Sequence, residues 1–316
     1  MIQSYKKNPV LEEKYDTIII GSGMGSLTSA AILAKEGNKV LVLERHYTAG
    51  GFTHIFKRKG FEWDVGIHYI GEVQKDTSVI KKLFDYISDS QINWEDMGDV
   101  YDKIVIGDKE YNFVKGVQNF KDKMLEYFPD EKKAIYNYVN LVFAAIKTSQ
   151  KFYMDKALHP LISKFFGSKM RKPFYKFSDK TTYEVLSSLT KNEELIKVLC
   201  GQYGDYGLPP KESSFVMHAA VARHYFTGGS FPIGGSSVIA NSIDKVIEKA
   251  GGTILISAEV KEIIIKKNKA VGVKMKDGKA FFAKKIISGT GIMTTYNKLI
   301  PAKIEEKFEF KNQLQK

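Results

Sequence analysis

Hydrophobic residues near the start of the chain form two short runs with one helical repeat between them. The first run is Thr17–Ile20, an apolar pattern of helical period covers Leu27–Lys35, and the second run is Val40–Leu43. Gly37 follows the helical pattern as a C-terminal stop. Two continuous apolar runs joined by one helix predict two parallel buried strands with a crossover helix.

A glycine cluster lies between the first predicted strand and the helix. Gly21 allows a tight turn, and Gly23 lets the backbone approach a pyrophosphate, which then lies at the positive end of the helix dipole. Ser26 takes the third position of the G-x-G-x-x-G pattern and is small enough for the helix to pack on the strand. Glu44 ends the second strand roughly 20 residues on, where a carboxylate accepts hydrogen bonds from a ribose. An ordinary strand–turn–helix is the alternative, but the combined pattern predicts a dinucleotide site.

The periodicity of the remaining chain changes twice. Residues 78–88 form an amphipathic pattern, and from about 118 to 200 the pattern is helical, with a capping box at Thr181 to Glu184. A helix is predicted at 236–250, followed by five short strands with turns at Lys267-Asn268 and Asp277-Gly278. We therefore divide the chain into a nucleotide-binding domain in two parts, 1–75 and 231–316, and an inserted, largely helical lobe, 76–230.

Composition narrows the class of protein. The chain has 316 residues, 43% of them hydrophobic, and no apolar run long enough to cross a membrane. The first fifteen residues are polar and charged, so we expect no signal peptide. The single cysteine, Cys200, suits a reducing compartment such as the cytoplasm, and no histidine or cysteine spacing indicates a metal site.

The net charge is +12, which favours anionic partners such as a nucleotide or an acidic membrane surface. A lysine-rich, solvated surface is the alternative, and no nucleic-acid-binding motif is present. The stretch Ser163–Lys180 has six Lys or Arg residues against one Asp, interleaved with five aromatic residues. This pattern predicts peripheral membrane contact, with a loop that joins two lobe helices as the alternative.

Four sequence blocks carry a resemblance to a known family. They are FEWDVGIHYIG at 61–71, YGDYGLPP at 203–210, MHAAVARHYFTGGSFPIGGSS at 217–237 and SGTGIMTTYNKLIP at 288–301. With the amino-terminal fingerprint, the chain resembles the retinol saturase, phytoene desaturase and carotenoid isomerase family of flavoproteins from about residue 15 to 301. The resemblance implies a Rossmann-like, glutathione-reductase-type FAD-binding domain with an antiparallel meander and an inserted helical substrate lobe.

The same resemblance implies an FAD-dependent oxidoreductase that acts on a conjugated polyene or another isoprenoid lipid. Saturation, desaturation and isomerisation all stay open, and NAD(P)H is a possible reductant. Glu44 would hold the adenosine ribose, with Arg45 beside it, and Val260 would contact adenine through its backbone. The complete set of implied cofactor residues is Gly21, Ser22, Gly23, Gly25, Ser26, Glu44, Arg45, Gly50, Gly51, Val260, Thr290 and Gly291.

The segment that follows the Gly50-Gly51 doublet contains three candidate catalytic residues. Asp64, His68 and Tyr69 should come near the flavin ring, and His68 is the best acid or base by its ordinary pKa. A buried histidine that orients a loop is the alternative for His68. Tyr203, Asp205 and Tyr206 line a substrate tunnel or cap a helix that ends near Cys200.

Members of this family continue well past the length of this chain. A truncated or split gene product is therefore expected, with a partner chain as one possible source of the missing part. Three other functions stay open: an amine-oxidase-like enzyme, an isoprenoid carrier without flavin chemistry, and an inactive remnant. The intact glycine cluster and Glu44 argue against the carrier, because a prenyl carrier needs no phosphate cradle.

Overall fold

The structure is a computed structural model that describes residues 2–7, 14–67 and 69–304. Its strands are β1 (Gln3–Ser4), β2 (Tyr15–Ile20), β3 (Val40–Leu43), β4 (Ile55–Arg58), β5 (Phe61–Asp64), β6 (Ile70–Gly71), β7 (Trp94–Asp96), β8 (Val100–Ile106), β9 (Lys109–Val114), β10 (Gly229–Pro232), β11 (Thr253–Ile256), β12 (Val260–Lys266), β13 (Lys269–Met275) and β14 (Ala280–Ser288). Its helices are α1 (Met24–Lys35), α2 (Val79–Ser88), α3 (Val117–Tyr127), α4 (Lys132–Ala157), α5 (Pro160–Ser178), α6 (Thr182–Leu189), α7 (Glu193–Leu199), α8 (Phe215–Tyr225), α9 (Ser237–Lys249) and α10 (Ile292–Thr294).

The chain forms two compact units. The sheet unit comprises residues 1–68, 75–95 and 231–316, and the lobe unit comprises 69–74 and 96–230. The sequence-based division placed 76–95 in the lobe. The difference arises from α2, an amphipathic helix of the sheet unit that packs on α1 and α9.

A seven-stranded sheet forms the centre of the sheet unit, in the order β1-β11-β3-β2-β14-β13-β12. The strands from β1 to β14 in this order are parallel, and β14, β13 and β12 are antiparallel neighbours. β2 and β3 are apolar because α1 and α9 cover one face and the meander core covers the other. The predicted α/β fold with a meander and a return strand is therefore confirmed.

The lobe unit is largely helical, with its own core. Helices α3, α4, α6, α7 and α8 share one apolar core with the hairpin β8–β9, and Tyr138, Phe120 and Phe215 are fully buried in it. The capping box predicted at Thr181 and Glu184 is confirmed, because each side chain binds the other residue's backbone N–H. Residues 163–178 of the stretch 163–180 belong to helix α5, so the alternative of a loop is wrong.

Two histidines of the lobe lie in its interior. His218 is fully buried, with Nε2 2.9 Å from the Tyr138 hydroxyl and Nδ1 3.2 Å from the Tyr206 hydroxyl. His224 accepts a hydrogen bond from the Gly71 backbone at 2.8 Å. Each histidine therefore has its own structural partners. None of the helices in the described ranges is long and apolar enough to cross a membrane.

Candidate dinucleotide-binding site

A cavity of about 1150 Å³ lies at the carboxyl ends of β2 and β3 in the sheet unit. The glycine loop after β2, the end of β3 and the segment after β14 form its walls. In parallel α/β sheets, ligands bind at this edge, outside the carboxyl ends of the strands. The cavity also exceeds the usual size of a small-molecule site, roughly 300–1,000 Å³, so it has room for a dinucleotide.

The glycine loop leaves open space above the first turn of α1. Gly21 has a φ of +91°, which the tight turn from strand to helix requires, and a Cβ built there would lie 3.5 Å from Thr290 Cγ2. Gly23 precedes the first residue of α1, and a side chain built there would meet no atom within 4 Å. The free backbone N–H groups of a helix start can therefore reach a phosphate in the cavity at this point.

Glu44 is held at the end of β3 by three hydrogen bonds. Its Oε2 accepts from the backbone N–H of Ser22 at 2.8 Å and from the Ser22 hydroxyl at 2.7 Å. Its Oε1 accepts from the His46 backbone N–H at 2.8 Å. Because a carboxylate has about four acceptor positions, one position on Oε1 stays available for a ribose hydroxyl.

The Gly50-Gly51 doublet lies directly against the glycine loop. The Gly50 N–H donates to the Ser22 hydroxyl at 3.1 Å. A Cβ on Gly51 would come 2.8 Å from the Gly23 Cα, so only glycine allows this contact between two backbones. Glu44, Ser22 and the doublet therefore form one connected wall.

Ser26 and Gly289 make the tightest contact behind the loop. A Cβ on Gly289 would lie 1.8 Å from the Ser26 Oγ. Ser26 is buried, and its Oγ has no hydrogen-bond partner within the described part of the chain. The close packing of helix on strand that the third glycine usually provides thus also involves Gly289, which directly follows the return strand β14.

The twelve cofactor residues expected from the sequence separate into two groups. Those that line the cavity are Gly21, Ser22, Gly23, Glu44, Arg45, Gly51, Val260 and Thr290. Those that do not line it are Gly25, Ser26, Gly50 and Gly291. Gly50 and Ser26 support the wall from behind, while Gly25 lies in the first turn of α1.

Sequence reasoning missed four cavity residues that carry charge. Lys261, Lys276 and Lys298 line the cavity, together with Glu259, which forms an ion pair with Lys276 at 2.9 Å. Lys261 is adjacent to Val260, so its position could have been inferred from that residue. Lys276 and Lys298 come to the cavity through the meander and through the helical turn after β14, for which no motif exists.

The candidate catalytic residues lie in different places. Asp64 is on β5, where Oδ1 accepts a hydrogen bond from the Ser236 backbone at 2.9 Å, and it does not line the cavity. His68 lies outside the described residues. Tyr69 belongs to the lobe unit, where its hydroxyl donates to Asp102 at 2.8 Å. Burial and the Asp102 carboxylate raise the pKa of Tyr69 well above its ordinary value, so Tyr69 stays protonated.

Four other positions from the sequence analysis lie in the lobe unit. Gly201–Asp205 is a 3-10 turn directly after α7, so Tyr203 and Asp205 continue the helix end. Tyr206 contacts His218 through its hydroxyl. Burial raises the pKa of the Cys200 thiol to about 12, which leaves the thiol protonated and unreactive.

Known proteins with a similar sequence cover nearly the whole chain. A family model described as an NAD(P)-binding Rossmann-like domain matches residues 19–87. All-trans-retinol 13,14-reductase from Danio rerio is 36% identical over 315 residues, which is 96% of this chain and 52% of that protein. Chloroplastic prolycopene isomerase 2 from an Oncidium hybrid cultivar is 28% identical over 93% of this chain and 51% of its own length. The chain thus spans about half the length of the curated relatives it matches.

A solved structure has the same fold. The crystal structure of an oxidoreductase from Methanosarcina mazei is 21% identical with a TM-score of 0.59, over 90% of this chain and 61% of that chain. At this level of identity the likeness shows a shared fold. The chain is therefore similar in sequence to all-trans-retinol 13,14-reductase and to prolycopene isomerase over nearly its whole length, and its sheet unit has a Rossmann-like fold.

Proposed function

We propose that the cavity binds FAD and that the chain is part of an FAD-dependent oxidoreductase acting on a conjugated polyene isoprenoid. The observation that carries the proposal is the pairing of two features in one cavity. Open space above Gly23 suits a pyrophosphate, and the Glu44 carboxylate at the next strand end suits a ribose.

The residues of the wall have separate tasks in binding. Gly23 and the first turn of α1 provide backbone donors for the phosphates, while Ser22 fixes the orientation of Glu44 through two hydrogen bonds. Val260 lies at the start of β12, where its backbone is in reach of an adenine. Arg45 and Lys261 add positive charge to a cavity that must hold an anionic cofactor.

The relatives support the proposed substrate class. One relative is named as a reductase of all-trans-retinol, and another is named as an isomerase of prolycopene. Bound FAD would supply hydride transfer to or from such a polyene. NAD(P)H as the reductant belongs to the same proposal.

The first test is the visible absorption spectrum of the purified protein, before and after addition of FAD. A flavin band that copurifies, or that appears stoichiometrically on addition, supports the cofactor site. A colourless protein that takes up no FAD contradicts it and favours an isoprenoid carrier or an inactive protein.

The second test is turnover. Flavin reduced under anaerobic conditions is mixed with all-trans-retinol or with a carotenoid, and the products are separated by chromatography. The chain spans about half the length of these relatives. Turnover is therefore measured with the chain alone and together with the separately expressed second half of the Danio rerio relative.

Saturated or isomerised polyene supports the proposed substrate class. Flavin reduction by amines, with no reaction of either polyene, contradicts it in favour of an amine-oxidase-like enzyme. Since polyene isoprenoids dissolve in bilayers, the proposal includes peripheral contact of the protein with a membrane.

A further inference from the structure

Six large apolar side chains are exposed where helices α4 and α5 meet. The two helices form a hairpin, because α4 ends at Ala157 and α5 begins at Pro160. We call the following residues the hairpin tip: Tyr153, Met154, Leu161, Ile162, Phe165 and Phe166. Phe165 has 77% of its surface exposed and Leu161 has 63%, values that are unusual for such large apolar residues.

The four tip residues of α5 lie on one face of the helix. Positions 161, 162, 165 and 166 repeat at a spacing of four, and neighbours at that spacing lie one turn apart on the same side. The other side of α5 packs on α4: Gly167 lies against Asp155, and the rings of Phe152 and Phe174 stack at 4.2 Å. The apolar face is thus separate from the face that holds the hairpin together.

Charge around the hairpin tip has a single sign. Residues 156–178 contain six Lys or Arg residues and no Asp or Glu. Asp155, the acidic residue just before this segment, is buried and paired with Arg171. Lys164, Lys169 and Lys172 make no ion pair with any acidic residue in the described part of the chain.

This combination matches the physical requirements of a bilayer surface. Exposed aromatic and aliphatic side chains gain by leaving water for the boundary between headgroups and acyl chains. Lysines beside them are attracted by the negative potential of anionic lipids and extend their charged ends toward the headgroups. The absence of acidic residues between 156 and 178 removes the repulsion that such a surface would otherwise cause.

We propose that the hairpin tip inserts into the surface of an anionic lipid bilayer. The hairpin geometry and the charge carry this inference. It rests on the proposed function in one respect: the lipid-soluble substrate explains why the protein would contact a membrane. It assigns to a defined surface of the lobe unit the membrane contact that a lipid-soluble substrate requires.

Vesicle flotation tests the inference. The full chain is mixed with vesicles of phosphatidylcholine alone and with vesicles that also contain phosphatidylserine, at low and high salt. We expect binding at least tenfold tighter to the vesicles that contain phosphatidylserine, and weaker binding at high salt because ions screen the lysines.

Two variants with matched controls locate the contact. Phe165→Ser, and a triple change of Lys164, Lys169 and Lys172 to Glu, should each reduce binding at least tenfold. The controls are Phe61→Ser, whose ring is 68% exposed on β5, and a triple change of Lys132, Lys133 and Lys197 to Glu elsewhere in the lobe unit. Both controls should bind as the unchanged protein does.

Three results would overturn the inference: no vesicle binding, equal loss in the controls, or self-association that Phe165→Ser abolishes without any vesicle binding. FAD uptake is measured in parallel on every variant. If the protein takes up FAD but does not bind vesicles, this inference alone is overturned. One that binds vesicles through the tip but takes up no FAD supports the inference and contradicts the proposed function.

Discussion

Single atoms decide how closely the segments around the cavity approach one another. A methyl group on Gly51 would come 2.8 Å from the Gly23 Cα, and one on Gly289 would come 1.8 Å from the Ser26 Oγ. The Glu44 carboxylate then ties Ser22 to this arrangement through hydrogen bonds. Two substitutions test these contacts separately, one through affinity and one through stability.

Glu44→Gln should weaken FAD binding by at least tenfold. The amide keeps one acceptor oxygen, so its NH₂ group must face the N–H of Ser22 or His46, and the charge-assisted bonds are lost. The dissociation constant is measured by flavin fluorescence titration. Glu259→Gln is the matched control: it lines the same cavity, but its exposed ion pair with Lys276 contributes little. Equal affinity of Glu44→Gln and the unchanged protein would contradict the role of Glu44.

Gly289→Ala should lower the free energy of unfolding by about 1–3 kcal/mol, because the new methyl group displaces Ser26. Ser26→Ala in the same chain should restore most of the loss, since the nearest remaining atom is the Ser26 Cβ at 3.2 Å. Urea unfolding measures both. Gly25→Ala is the control, because a Cβ there meets nothing within 4 Å and no loss is expected. Failure of the second substitution to rescue the first would show that the contact is not the cause.

Helices of the lobe unit share a polar contact within its apolar core. His218 on α8 lies between Tyr138 on α4 and Tyr206 after the 3-10 turn. Burial lowers the pKa of His218 to about 4. The imidazole is therefore neutral in the folded lobe at neutral pH, and the two hydroxyls complete its hydrogen bonding.

The free energy of unfolding should fall as the pH drops from about 6.5 toward 4. In this window His218 takes up a proton in the unfolded chain but not in the folded one, so acid favours unfolding, by up to about 3 kcal/mol over the window. His218→Gln should remove this part of the pH dependence, and exposed His159→Gln should leave it unchanged. Urea unfolding at several pH values measures the difference. Parallel pH profiles for His218→Gln and the unchanged protein would contradict the assignment.

Elements with local signals were predictable from the sequence, and contacts between distant segments were not. The turn at Lys267-Asn268 has positive φ at both residues, as its sequence predicts. The strands of the sheet and the cap at Thr181 also follow from neighbouring residues. Helix α5 lies within the stretch 118–200 for which a helical pattern was predicted. It contains Gly167 and Pro173, which lower helix propensity, and its packing on α4 compensates for them.

The prediction of the site from the sequence has the same limit. Glu44 and the glycine loop follow a spacing that one motif describes. The contacts of Gly51 with Gly23 and of Gly289 with Ser26 join segments that are far apart in sequence. No local pattern contains that information, because it depends on how β14 is placed beside β2.

The tryptophans of the molecule are distributed unevenly between its two units. The chain has 2 tryptophans, Trp63 and Trp94, and both belong to the sheet unit. The core of the lobe unit contains tyrosine and phenylalanine but no tryptophan among the described residues. Tryptophan fluorescence therefore reports the unfolding of the unit that contains the cavity.

FAD at one hundred times its dissociation constant should raise the free energy of unfolding seen by tryptophan fluorescence by about 2.7 kcal/mol. The physical reason is that the ligand binds the folded cavity and not the unfolded chain. Urea denaturation curves with and without FAD give the midpoints. Riboflavin, which lacks the ribose and adenine that Glu44 and Val260 would bind, should give a much smaller shift. An unchanged midpoint with FAD would place the cofactor elsewhere.

The position of β14 has a consequence for the order of events during synthesis. β2 pairs with β3 within a few tens of residues, but its other edge pairs with β14, where Ser288 meets Ile20 across roughly 270 residues of chain. At about 5–20 residues per second, a ribosome needs tens of seconds to make that partner. During this interval one edge of an apolar strand has no neighbour, so the nascent chain depends on chaperones or on rapid elongation to avoid aggregation.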